Sequence, residues 1–227
     1  EILQKNDSWM FAFDSLRTVS FLTPPDSAFR IISWYVPLLS GHFRYYGLVQ
    51  YPPESGRGIL ELTDQTPEPQ FLTDEWPSNG YWLGAYYYDI IFHRYEDVNV
   101  YTLLGWKGYS PEIRMRVIET FSPGDSIPVF GSPGFRKEGK VLERIVFSYS
   151  ARVSMSLLYE TRLAFGQQEK APMIVFDRLT PMRPEFSGQF RYYVSEGNIF
   201  DAFLFENGLW NFVSDVDARR PEDEPPQ

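Results

Sequence analysis

The chain has 227 residues, 43% of them hydrophobic and 18% aromatic, enough apolar side chain for a sizeable core; a globally disordered protein is excluded. Its 21 basic and 30 acidic residues leave a net charge of −9. Nucleic-acid binding needs a basic run or stripe to neutralise phosphates and none is present, so nucleic acid is excluded as a partner and anionic membrane surfaces are disfavoured. The lack of cysteine removes disulfides, thiol catalysis and cysteine-ligated zinc in one step.

In chain order, period-2 patterning dominates, the signature of strands with two unlike faces. Thr18 to Thr23 and Ala28 to Val36 flank Pro24-Pro25-Asp26-Ser27, a turn whose prolines cannot continue a ladder. "GHFRYYGLVQY" places Phe43, Tyr45, Val49 and Tyr51 on one face and His42, Arg44, Tyr46 and Gln50 on the other, joined to the preceding strand by a tight turn at Ser40-Gly41. From Leu62 to Tyr81 a Pro-rich connection, with one helical turn expected near Thr73 to Trp76, marks a subdomain boundary at 63–80.

The aromatic-dense run Tyr81 to Phe92 has no polar face and predicts a central strand covered on both sides, with Trp82 in the core. No apolar run reaches the ~18 residues of a spanning helix, and this one is interrupted by Asp89; the chain is predicted to be soluble, with no integral membrane segment. Arg94 to Asp97 turns the chain into the partner strand Val98 to Trp106, leaving Trp106 peripheral, at a turn between Gly105 and Lys107-Gly108. Ile113, Met115, Val117 and Phe121 then alternate with Arg114, Arg116 and Thr120, and a short strand is expected at Ile127 to Phe130.

"RIVFSYSARVSMSLLYE" alternates best of all and predicts one long strand whose Ser/Arg face is solvated. "PMIVFDRL" and "QFRYYV" read as further strands. "NIFDAFLFENGLWNFV" reads as a hairpin turned at Asn207-Gly208. From Asp215 the tail holds five acids, two arginines and three prolines and is expected to be disordered. The prediction is an all-β protein, an antiparallel meander forming a sandwich or partly open barrel, with long Pro-rich connections and little helix. Residues 1–214 would form a single β-rich domain and 215–227 a disordered acidic tail. The chain begins at Glu1 rather than Met, as expected of a chain whose signal peptide has been removed or whose start has been trimmed.

The segments "LTPPDSAFRIISW", "YYGLVQ", "YTLLGWKG", "RIVFSYSARVSMSLLYE", "MIVFDRLTP" and "FDAFLFENGLWNFV" together resemble a family of exported proteins of the Bacteroidota. The resemblance covers about Thr18 to Val213, in the same order. It implies a location in the cell envelope, periplasmic or extracellular, and implies no activity. Lys107, Leu158-Tyr159 and Arg178 stand where the family pattern has Asp, Arg-Tyr-Asp and His, so a charged site cannot be carried over at those positions.

Chemistry-bearing motifs are sparse. The two histidines, His42 and His93, accompany no nucleophile elbow and no metal-ligand spacing, so neither a Ser-His-Asp site nor a metal is predicted, and no cofactor either. Asp89, Asp177 and Asp201 interrupt apolar runs; such carboxylates point to solvent, pair with an arginine, or serve a hydrolase that works with two acids. For Asp89, the nearby Arg94, Arg114 and Arg116 are the expected partners. The sequence therefore predicts a monomeric, non-catalytic interaction module that binds an envelope protein or a glycan, with Trp106, Asp177 and Asp201 as candidate binding residues. A carboxylate-dependent, glycosidase-like hydrolase is the alternative.

Overall fold

A computed structural model describes residues 3, 5–13, 15–66, 81–162 and 171–216. Among them are fifteen strands and a few short 3-10 turns, and no helix is long and apolar enough to cross a membrane. Sheet A is a four-stranded meander of β1 (Val19–Leu22), β2 (Arg30–Pro37), β3 (Phe43–Gln50) and β4 (Ile59–Leu62). Sheet B runs β11-β7-β6-β5, built from β5 (Tyr86–Tyr95), β6 (Val98–Lys107), β7 (Ile113–Ser122) and β11 (Arg144–Ser150). The two-residue β8 (Val129–Phe130) adds to the far end of β7. Sheet C has the order β10-β9-β15-β14-β13-β12. Its strands are β9 (Phe135–Lys137), β10 (Lys140–Leu142), β12 (Leu157–Arg162), β13 (Ala171–Pro181), β14 (Tyr193–Glu206) and β15 (Leu209–Val216). All pairings are antiparallel except β15 with β9.

The three sheets stack as layers, so the chain is an open all-β sandwich rather than a barrel. Between A and B, Ile31, Tyr45 and Val49 meet Tyr87, Tyr101, Leu103 and Phe121. Between B and C, Ile91, Leu104 and Ile118 meet Ile174, Phe176, Phe203 and Trp210. Sheet B is thus buried on both faces, which explains why Tyr81 to Phe92 shows no polar face. β5 nonetheless lies at the hydrogen-bonded edge of that sheet, and a bulge at Tyr88 shifts its register against β6. The boundary expected at 63–80 separates sheet A from the rest only in sequence, because one core joins residues from both sides of it. Residues 67–80, including the helical turn expected at Thr73 to Trp76, lie outside the described residues.

Several expectations need correction. "RIVFSYSARVSMSLLYE" is two strands in two sheets: β11 ends at Ser150 and β12 begins at Leu157. The alternation survives the crossing because Ile145, Phe147, Tyr149, Met155, Leu157 and Tyr159 all face the same B–C core. Its Ser/Arg face is solvated only in part, since Arg144, Ser148 and Ser150 are buried while Arg152 and Ser154, in the connection between the strands, are exposed. "QFRYYV" opens with a 3-10 turn, Phe190–Tyr192, before β14 starts at Tyr193. The closing hairpin turns at Asn207-Gly208, both at positive φ, as a two-residue hairpin turn requires. β15 continues through Asp215 to Val216, which pairs with Phe200, so the ordered domain passes the boundary expected at 214. The rest of the tail lies outside the described residues.

Candidate functional site

β4 and β8 are the strands at which sheets A and B come apart, and a cleft of about 400 Å³ opens between them, a volume within the ~300–1,000 Å³ range of small-molecule sites. Leu60 and Leu62 of β4 form one wall, and Ile127, Pro128 and Phe130 of the β8 segment form the other. Trp82 and Tyr81 close the back, with Glu61, Thr63, Gln65 and Ser126 supplying polar groups. Trp82 is buried, whereas Tyr81 is half exposed. One end is fixed by Pro123, whose carbonyl accepts the Tyr51 hydroxyl at 2.9 Å and an Arg57 N–H at 2.8 Å.

Behind the walls lies a buried charge network. Glu119 of β7 is fully enclosed and accepts a hydrogen bond from the Tyr87 hydroxyl. Arg144, also buried, places Nη2 2.8 Å from Glu119 Oε2. The same nitrogen donates to the carbonyls of Tyr81 at 2.9 Å and Phe130 at 3.1 Å. The guanidinium therefore holds Tyr81 at the back of the cleft and Phe130 in the β8 wall. Burial raises the Glu119 pKa, and Arg144 opposes that rise; burial also pushes the Tyr87 hydroxyl well above its ordinary value.

Lys107, at the end of β6, is a second pin. Its ammonium donates to the carbonyls of Leu83 at 2.7 Å and Gly84 at 2.6 Å, lies 3.2 Å from Asp64 Oδ2 and sits over the Tyr45 ring. Burial pulls its pKa down to about 8, with Asp64 partly restoring it. Gly84 is required here: its φ is +61° and a Cβ would meet the Asp64 carboxylate. The Gln65 N–H donates to the Trp82 carbonyl at 3.0 Å and Thr66 Oγ1 to that of Leu83 at 2.6 Å, so residues 64–66 and 81–84 are locked together beside the cleft.

None of the three residues singled out from the sequence lines this cleft. Trp106 is not at a turn: it lies within β6, paired with Tyr86 and Arg116, and is half-buried against Tyr35 and Phe43 at ring-centroid distances of 5.1 and 5.4 Å. Asp177 accepts hydrogen bonds from the Ser156 amide and the Ser195 hydroxyl, both at 2.8 Å, and so ties β13 to its neighbours. Asp201 is buried and binds Arg178, which also reaches Asp215 at 2.8 Å. These are clasps across sheet C at two irregularities of its ladders. Phe176 faces Asp201 and Asp177 faces Phe200, so strand alternation sends the two carboxylates to opposite faces.

Asp89 accepts the Ile90 amide at 2.8 Å, while Arg94 pairs with Asp97 and Arg114 and Arg116 donate to backbone carbonyls. His42 is exposed beside Ser40. His93 stacks on Phe205, and burial lowers its pKa. Among the described residues no group of His, Cys, Asp or Glu is arranged to hold a metal ion.

The network that shapes the cleft had one readable signal. Glu119 shares its strand parity with Met115, Val117 and Phe121, so a charge stands on a core face, where it must find a partner. Nothing in sequence spacing connects it to Arg144 or to Tyr81. No protein-family model, no curated protein and no solved structure matches the chain.

Proposed function

We propose that the protein is a non-catalytic β-sandwich interaction module of the cell envelope, periplasmic or extracellular, that binds a glycan in the cleft between β4 and β8. The supporting observation is the make-up of that cleft: a half-exposed Tyr81 next to Trp82, flanked by Glu61, Thr63, Gln65 and Ser126. A sugar presents an apolar C–H face for an aromatic ring and a rim of hydroxyls for short polar groups. The buried Arg144–Glu119 pair favours binding because it presets the backbone of the cleft's back at Tyr81 and of its β8 wall at Phe130, which lowers the ordering cost on association.

A glycosidase needs two carboxylates about 5–10 Å apart across the bond to be cut. Among the described residues lining the cleft, Glu61 is the acid present and no second one faces it. The envelope location rests on the resemblance to exported proteins. Screening the purified protein on an array of envelope polysaccharides tests the reading, with Tyr81→Ala as the control. Retention of a glycan by the native chain and its loss in the variant is the expected result. Release of reducing sugar from a retained glycan would favour the hydrolase, and retention unaffected by Tyr81→Ala would place binding elsewhere.

A further inference from the structure

The opposite end of the sandwich carries an independent surface. Four loops meet there: 37–42 of sheet A, 108–112 between β6 and β7, 151–156 between β11 and β12, and 182–192 between β13 and β14. They are stapled to one another. The Ala151 N–H donates to the Glu112 carbonyl at 2.8 Å and Arg191 pairs with Glu112 at 3.5 Å, while the 182–192 loop is closed on itself by the Met182 N–H to the Tyr192 carbonyl at 2.9 Å. Gly41 approaches Pro111 so closely that a Cβ would lie 3.0 Å from its ring.

This end reverses the charge of the whole chain. Residues 37–44, 108–114, 151–156 and 182–192 hold five arginines and two glutamates, in a protein whose net charge is −9. Two aliphatic side chains protrude beyond that basic rim. Leu39, at the tip of a turn closed by the Gly41 N–H to Leu38 carbonyl bond, is fully exposed, and Met182 is 65% exposed. They belong to the outer sheets A and C with sheet B between them, about 20 Å apart at ~10 Å per layer. A small ligand cannot touch both, whereas a flat partner can.

We propose that this end docks on an anionic lipid bilayer, with Leu39 and Met182 entering the headgroup–acyl boundary and Arg44, Arg152 and Arg183 meeting lipid phosphates. Exposed aliphatic tips gain by leaving water at that boundary, and each surface arginine adds an attraction that salt screens. The whole-chain charge alone disfavours such a surface, but the potential felt within a Debye length of this end is set by its own five arginines and two glutamates.

The test is co-sedimentation of the full chain with phosphatidylcholine vesicles, with and without an equal part of phosphatidylglycerol. Binding should require phosphatidylglycerol and fall about tenfold or more in high salt and in Leu39→Asp/Met182→Asp. Both positions are exposed, so circular dichroism of that variant should match the native chain. No sedimentation at low salt would overturn the proposal. So would binding that ignores the double substitution, or equal affinity for soluble heparin, which would assign this end to a polyanionic glycan instead.

Discussion

Sheet B presents two faces of the same strands to two different environments. Towards sheet A it buries Glu119, Arg144 and Lys107 among aromatic rings. Towards sheet C its fully buried side chains are closed by apolar packing and neutral bonds, such as the Trp210 indole N–H to Thr102 Oγ1 at 2.8 Å, with the half-buried Arg116 bonded to the Met155 carbonyl. A buried ion pair costs so much desolvation that apolar residues of similar volume often serve stability equally well. Apolar packing therefore carries the stability on both faces, and the charged groups of the A–B face fix the backbone of Tyr81, Phe130, Leu83 and Gly84 around the cleft.

The largest expected effects come from breaking one partner. Glu119→Ala leaves Arg144 buried without its carboxylate and should lower stability by about 3–5 kcal/mol in urea titrations, as should Trp82→Ala by emptying a core site. The double variant Glu119→Leu/Arg144→Met should lie within about 1–2 kcal/mol of the native chain; a double loss equal to the sum of the singles would break the comparison. On the other face, Trp210→Phe removes a neutral hydrogen bond and part of a ring, and should cost about 1–3 kcal/mol.

Lys107 gives the A–B face a pH signature in the alkaline range. Its folded pKa lies below the unfolded value, so between about 8 and 10.5 the unfolded chain binds more protons, and stability rises with pH across that window. Relative to Lys107→Met, the native chain should therefore gain about 2 kcal/mol from pH 8 to 10. Thermal melts of both proteins across this range test it, and a constant difference would show that Lys107 keeps an ordinary pKa. The smallest effect belongs to Tyr81→Ala, a half-exposed position, which should shift stability by less than about 0.5–1 kcal/mol while abolishing glycan retention.

The β class, the faces of β3 and β7 and the final hairpin were legible because period-2 alternation records which side chains meet a core. The layer count was not. Ile145 to Tyr159 alternate without interruption although the chain passes from sheet B to sheet C between Ser150 and Leu157, since both strands face one core and the pattern records only that. Trp106 was misplaced for a related reason. Flanking glycines read as a turn, but here Gly108 makes room for the Phe43 ring, which a Cβ would strike at 2.4 Å. The cleft itself is assembled from residues 60–65, 81–82 and 126–130, distant stretches whose meeting depends on tertiary contacts such as Tyr51 to Pro123.

The claim that the buried pair exists to shape the cleft is tested most directly by native-state amide hydrogen exchange on Glu119→Leu/Arg144→Met. The informative amides are Gln65, bonded to the Trp82 carbonyl, and Gly131, bonded to that of Thr120, with Trp210, bonded to Gly134, as the reference. The account predicts that Gln65 and Gly131 exchange at least about tenfold faster than in the native chain, a local opening made easier by about 1.4 kcal/mol or more, while Trp210 is unchanged. Unaltered protection at Gln65 and Gly131 would contradict it, and would make the ion pair a replaceable part of the core.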